Sequence, residues 1–282
     1  MALGSTNATA PVADMEAKIE RLRALLQELG EVAVAYSGGV DSTVVLKVAH
    51  DVLGPRALAV IGDSEAFPRG EVEAAIAVAR QIGVEPVVER THELQNVHFR
   101  VNNPDRCYHC KTELFGVLRR IADARGVRWL ADGANADDVG DHRPGMQAAA
   151  ELGVRSPLRE VGLTKAEVRE LARRLQLPNW DKPSFACLSS RFPYGTAISM
   201  ELLSRVDGCE KALRELGFRQ FRVRHHDTVC RIEVDPADFP RILEHRETIY
   251  RRFRELGYLY VTLDLEGFRS GKMNDALKLS PK

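Results

Sequence analysis

The stretch Val32-Ala33-Val34-Ala35-Tyr36-Ser37-Gly38-Gly39-Val40-Asp41-Ser42 constrains this chain more than any other. Its apolar, β-branched run predicts a buried strand, and that strand ends abruptly in Ser-Gly-Gly. Beyond the turn, Val44, Val45, Val48 and Ala49 recur at the spacing of one helix face. Strand, tight glycine turn and helix in succession leave backbone N–H groups and a helix N-terminus at the carboxyl end of a strand, where α/β sheets bind anions. Gly38 and Gly39 permit a backbone approach that a Cβ would block, and Ser37 and Ser42 add hydroxyls. Asp41 has no place in a plain anion nest, but a Mg²⁺ between it and bound phosphates gives it one. No Gly-Lys-Ser/Thr follows and Lys47 comes a turn too late, so this is not a Walker A loop.

The six residues Ser37–Ser42 resemble the pyrophosphate loop of the N-type ATP pyrophosphatases, which include GMP and NAD synthetases and tRNA thiolases. The resemblance implies cleavage of ATP between its α and β phosphates and adenylation of a substrate oxygen. A chain of 282 residues makes one large domain or two ordinary ones. With 44% hydrophobic and 28% charged residues it suits a soluble protein with a sizeable core. No apolar run reaches the roughly 18 residues that span a membrane. Residues 1–14 read as a flexible tail, without the basic and apolar regions of a signal peptide. The 40 basic and 40 acidic residues cancel, which weighs against a nucleic-acid partner. Five cysteines do not make a secreted disulfide framework, so the expected location is cytoplasmic.

Strand and helix patterns alternate through the first half. Helices are predicted over 16–29, 71–82 and 112–124, and further strands over 57–61, 84–88 and 129–131. That order predicts an α/β fold, a parallel twisted sheet with helices on both faces, over 15–195. After Arg191 the character changes. Helix 200–216, strands 221–225 and 229–234 around a His226-Asp227 turn, helix 239–256 and strand 258–263 predict a smaller C-terminal α+β domain over 196–282, with an antiparallel sheet.

Three further clusters carry chemistry. Asp132-Gly133-Ala134-Asn135-Ala136-Asp137-Asp138 follows the fourth strand, where strand ends share a crevice with the glycine loop. Its carboxylates, Asp137 among them, suit Mg²⁺ or a ribose. Arg143, further along this loop, suits an anionic substrate. Lys165 and the rest of helix 164–174 read as an ordinary charged face. Cys107-Tyr108-His109-Cys110 is a Cys-x-x-Cys pair, open to redox, metal-binding or neither. Cys187 lies in an irregular stretch that reads as a surface segment, near Lys182 and Arg191, where a thiol can act as nucleophile or metal ligand. Cys209 and Cys230 read as small core residues. Two cysteines plus one also suit an iron–sulfur cluster with one iron lacking a protein thiolate. Arg222 and Arg224 share one strand face. With Arg269 and with Ser190 or Arg191 they form a candidate phosphate clamp. Glu210, on the helix beside them, is a weaker candidate.

Taken together, Ser37–Ser42, Asp132–Asp138, Arg143-Pro144-Gly145, Ser189-Ser190-Arg191-Phe192-Pro193-Tyr194-Gly195, Arg222-Val223-Arg224, Tyr260-Val261-Thr262-Leu263-Asp264 and Gly267-Phe268-Arg269-Ser270-Gly271-Lys272-Met273-Asn274 resemble the LarE family from about residue 15 onward. The resemblance implies an ATP-dependent sulfur transferase of nickel-pincer nucleotide cofactor biosynthesis. It implies a pyridinium-3,5-biscarboxylic acid mononucleotide substrate, Mg²⁺, a sulfide source and a trimeric or hexameric homo-oligomer. One branch of that family sacrifices a single cysteine, here Cys187. The other relays sulfide through a 4Fe–4S cluster on three cysteines, and Cys107, Cys110 and Cys187 match that second pattern. A tRNA thiolase is the rival reading, and it predicts a basic face or appendage.

Overall fold

The computed structural model describes residues 9–138, 144–183, 186–275 and 277. In chain order the first elements are α1 (Thr9–Leu29), β1 (Val32–Ala35), α2 (Val40–Leu53), β2 (Ala57–Asp63), α3 (Glu71–Gln81), β3 (Val87–Arg90), α4 (Val97–Arg100), α5 (Arg106–Ala124) and β4 (Leu130–Ala131). Then follow α6 (Pro144–Glu151), α7 (Pro157–Glu160), α8 (Lys165–Arg174), α9 (Met200–Glu215), β5 (Phe221–His226), β6 (Val229–Val234), α10 (Phe239–Glu244), α11 (Arg246–Glu255) and β7 (Tyr260–Leu263). These form two compact units. One comprises the chain up to Asp63 with Gly70–Thr91 and Cys110–Lys182; the other comprises Ser64–Arg69, His92–His109 and the chain from Pro183 onward.

In the first unit the four strands pair in parallel in the order β3-β2-β1-β4. Val32 lies opposite Ala57, and Ala33 opposite both Leu58 and Leu130. Side chains alternate across a strand, so each strand feeds two cores. Val32, Val34, Ala59 and Ile61 pack with Leu22 and Leu26 of α1, Val44 and Leu46 of α2, and Val168 of α8. Ala33, Leu58, Val60 and Leu130 pack with Phe115 and Leu118 of α5 and with Ala149 of α6. Helices thus cover both faces, which is why these strands are continuous apolar runs. The chain moves from β1 through β2 to β3 on one side and returns to place β4 on the other. The order therefore reverses between β1 and β4, and a crevice opens there at the strands' carboxyl ends.

The second unit holds the sheet β5-β6-β7. Phe221, Val223, Ile232 and Val234 are buried from its strands, with Leu203, Val206 and Leu213 of α9 and Ile249 and Phe253 of α11. The sheet is mixed, not antiparallel as the alternation predicted: β5 and β6 are antiparallel, but β6 and β7 are parallel. Between β6 and β7 the chain runs through α10 and α11, a crossover that returns it to its starting end. The single helix predicted over 239–256 is these two, meeting at His245. The helix predicted from residue 112 begins at Arg106 instead, so Cys107 lies in its first turn and Cys110 at the start of its second.

Leu46 of α2, fully buried in the core that α2 shares with α1 and the sheet, tests this core. Leu46→Ala is expected to cost about 2–5 kcal/mol, read as a lower urea midpoint at an unchanged slope.

Candidate active site

The loop between β1 and α2 has a geometry that only glycine meets at its second position. Gly38 has φ +68°, and a Cβ there would lie 2.6 Å from the Ala75 Cβ of α3. Hydroxyls and an amide close the loop from within. The Ser37 and Ser42 hydroxyls lie 3.1 Å apart, Ser42 Oγ donates to the Gly39 carbonyl at 3.2 Å, and the Gly39 N–H donates to Ser37 Oγ at 3.3 Å. From beneath, Asn179 Nδ2 donates to the Gly38 carbonyl at 3.0 Å and to Thr43 Oγ1 at 2.9 Å. Lys182 Nζ donates to the same Gly38 carbonyl at 3.3 Å while paired with Glu71 at 2.8 Å. The buried Asn179 Oδ1 finds no hydrogen-bond donor among the described residues.

The loop after β4 abuts this one. A Cβ on Gly133 would lie 2.7 Å from the Ser42 nitrogen, so the N-terminus of α2 and the β4 loop touch backbone to backbone. Asn135 Nδ2 donates to Asp41 Oδ1 at 3.2 Å, and the Lys165 ammonium pairs with Asp41 Oδ2. Asp137 accepts the Lys165 backbone N–H at 2.8 Å, and Asp138 accepts that of Asn135 at 2.9 Å. Asp41, Asn135, Asp137 and Gly133 therefore come together around the glycine loop. Lys165 joins them and is not part of a merely solvated face. The donor set fits a magnesium nucleotide: Mg²⁺ is usually held by one or two carboxylates plus substrate phosphates, and Asp41 already faces a cation. Arg143 lies outside the described residues.

In the second unit the segment around Cys187 is less exposed than a surface stretch: Leu188, Ser189 and Arg191 are buried. Arg191 and Glu210 form a fully buried bidentate pair at 2.7 and 3.0 Å. Arg191 also donates to the Ala186 carbonyl at 2.9 Å and the Cys187 carbonyl at 3.2 Å, so this ion pair anchors the segment that carries Cys187. Arg224 donates to the Ser190 carbonyl at 2.7 Å and pairs with Glu233 at 2.9 Å. Burial, then the neighbouring Arg191 charge, pulls the Arg222 pKa down to about 10, so its guanidinium stays charged at neutral pH. Arg222 and Arg224 thus share a sheet face with Ser190 nearby. Arg269 instead pairs with Glu266 and Asp275.

The cysteines divide by environment. Cys107 is exposed and Cys187 half-buried, whereas Cys209 and Cys230 are buried. Burial and hydrogen bonding to Cys209 push the Cys230 thiol up, as befits an inert core residue. The signature cysteines meet a cation that sequence reasoning missed. Arg106, buried on α5, lies 3.9 Å from Cys107 Sγ and donates to the Ser189 carbonyl at 2.9 Å. Burial opposes its charge, but the sulfurs of Cys187 and Cys107 outweigh this and hold its pKa above the ordinary guanidinium value. Cys110 follows one turn along the same helix. Among the described residues no three His, Cys, Asp or Glu side chains are grouped to hold a metal ion.

A parallel sheet with a glycine-rich loop at its switch point, together with a small α+β unit, makes up the PP-loop α/β fold with a C-terminal domain. No family model matches the chain. Over 94% of its length it is 41% identical to the pyridinium-3,5-bisthiocarboxylic acid mononucleotide synthase of Lactiplantibacillus plantarum, covering 97% of that protein. An uncharacterized protein of Synechocystis is 46% identical over 93% of the chain and 99% of its own length. The glutamine-hydrolyzing GMP synthase of Aeropyrum pernix is 30% identical over 58% of the chain and 36% of that protein. The chain belongs to the LarE family, that of the Lactiplantibacillus synthase.

The loop makes a direct prediction. Gly38→Ala combines a disfavoured φ with a backbone-level clash against α3. It is expected to abolish binding of magnesium nucleotide in calorimetry while the far-ultraviolet circular dichroism stays that of the wild type.

Proposed function

We propose that this protein is an ATP-dependent sulfur transferase. It activates the carboxylates of pyridinium-3,5-biscarboxylic acid mononucleotide and exchanges a carboxylate oxygen for sulfur, as in the assembly of a nickel-pincer cofactor. The observation that carries this reading is the near full-length kinship with the Lactiplantibacillus synthase, with Asp41 and the glycine loop at the switch point of the sheet.

A carboxylate is a poor acyl donor because its oxygen leaves badly. In the proposed reaction a substrate carboxylate oxygen attacks the α-phosphorus of ATP and pyrophosphate departs. A sulfur nucleophile then attacks the acyl carbon and expels AMP. The backbone amides and hydroxyls of Ser37, Gly38, Gly39 and Ser42 hold the leaving pyrophosphate. Asp41, with Asp137 beside it, would hold Mg²⁺, which supplies charge neutralisation on the phosphates. Gly133 keeps the β4 loop close enough for Asn135 to orient the Asp41 carboxylate. Ser190, Arg222 and Arg224 receive the substrate's own phosphate, and the desolvated charge of Arg222 gains from such an anion.

Cys107, Cys110 and Cys187 handle the sulfur. Arg106 lies buried beside Cys107 and donates to the Ser189 carbonyl on the segment that carries Cys187. Repeated turnover with external sulfide, and iron and sulfide found after anaerobic purification, would support a cluster on the three cysteines. Turnover that stops after one sulfur, with mass lost at Cys187, would support the sacrificial route.

With ATP, Mg²⁺ and the biscarboxylic substrate, release of AMP and pyrophosphate is expected to require the substrate. The product is expected to show the mass change of an oxygen-to-sulfur exchange. ATP cleavage indifferent to that substrate overturns the assignment. Arg222→Gln is expected to raise the KM for the nucleotide substrate on the order of tenfold, the loss of one charged hydrogen bond. The KM for ATP is expected to stay unchanged in that variant.

A further inference from the structure

The chemistry above leaves Lys165 without a task, although it is the cation that meets Asp41. Its backbone is fixed on two sides. Thr164 and Glu167 form a capping box at the start of α8, and Glu167 is tied in turn to Lys18 of α1 at 2.7 Å. The Lys165 N–H is held by Asp137 at 2.8 Å. The side chain beyond that anchor is a flexible four-carbon stem with a compact ammonium at its tip. The carboxylate it meets is also oriented, because Asn135 holds Asp41 Oδ1 and leaves Oδ2 to the ammonium. Both side chains are partly open to solvent, 31% for Lys165 and 21% for Asp41. An ion pair so exposed is weakly held and readily exchanged.

Asp41 is also the carboxylate placed to ligate a divalent ion, and one oxygen cannot serve an ammonium and Mg²⁺ at full strength together. Mg²⁺ carries twice the charge and prefers a carboxylate with phosphate oxygens around it. An ammonium displaced from Asp41 stays tethered to a fixed Cα beside the phosphate loop, where the incoming charge is negative. Lys182 is not the alternative, since it is engaged with Glu71 and the Gly38 carbonyl.

We propose that Lys165 is a phosphate-positioning residue that competes with Mg²⁺ for Asp41: the metal takes the carboxylate, and the ammonium transfers to the bound polyphosphate. This rests on the reading of the loop as an ATP site and gives that site a second cation drawn from the protein. It also couples the two ligands, because metal binding frees the lysine that grips the nucleotide.

The test is isothermal titration of the full-length protein with α,β-methylene-ATP, whose α–β bridge resists cleavage, over a series of Mg²⁺ concentrations. In Lys165→Met and Lys165→Gln, affinity for the analogue at saturating Mg²⁺ is expected to fall on the order of tenfold, the loss of one charged hydrogen bond. At saturating analogue, the Mg²⁺ concentration for half-occupancy is expected to fall as well, because nothing competes for Asp41. Lys165→Arg is expected to recover most of the nucleotide affinity. Unchanged affinity and unchanged Mg²⁺ dependence in the Met and Gln variants would overturn the proposal and leave Lys165 as a tie between α8 and α2. Failure of the wild type to bind the analogue would overturn the ATP reading itself, which is a distinguishable result.

Discussion

Between the last residue of β1 and the first turn of α2 the backbone must reverse within a few residues while α3 presses on it from the side. Gly38 makes this possible, because its φ of +68° and the nearness of Ala75 both exclude a side chain. Everything proposed for the nucleotide depends on that turn. It ties its own groups together, the Gly39 N–H to Ser37 Oγ and the Ser37 N–H to Ser42 Oγ, and it sets Asp41 on the first turn of a helix, where negative charge is favoured. Asn179 and Lys182 hold its carbonyl from below. The second contact of this kind, Gly133 against Ser42, brings the acidic loop after β4 to the same place. Two glycines at close backbone contacts thus determine where the carboxylates and the lysine meet.

The second unit solves a different problem, that of keeping charge inside a folded structure. Arg191 and Glu210 are fully buried, and such a pair repays its desolvation only when nearly every donor and acceptor is satisfied. Here the guanidinium meets the carboxylate through two nitrogens, and its third meets the Ala186 and Cys187 carbonyls and the Ser190 hydroxyl. Glu210 accepts the Val223 N–H as well. The pair therefore joins α9, β5 and the segment carrying Cys187. Removing one partner strands the other at a cost of about 3–5 kcal/mol. Arg224, on the neighbouring sheet face, is likewise held, between Glu233 at 2.9 Å and the Ser190 carbonyl at 2.7 Å.

Much of this was legible in the sequence, for identifiable reasons. The run Val32–Ala35 followed by Ser-Gly-Gly marks strand and loop because periodicity and glycine are local signals. The parallel sheet follows from strands spaced by helices. The direction of β7 was not legible from alternation, which is the same in parallel and antiparallel strands. The helical pattern between Val234 and Tyr260 carried that information, since a helical crossover permits a parallel neighbour where a tight turn does not. The start of α5 is obscured in the sequence because Cys107-Tyr108-His109-Cys110 reads as a motif, although Pro104 and Asp105 just upstream are helix-start signals. Lys165, Asn179 and Arg106 act across large sequence separations, Lys165 meeting Asp41 from 124 residues away. No local pattern announces such contacts.

The most direct measurement of the central claim follows an oxygen atom. When substrate with heavy oxygen in its carboxylates is turned over with unlabelled ATP, adenylation at the glycine loop requires the bridging oxygen to leave with AMP. Labelled AMP is the predicted result. Unlabelled AMP in unlabelled water, formed alongside thiolated product, would show that the carboxylate never attacked the α-phosphorus and would contradict the account.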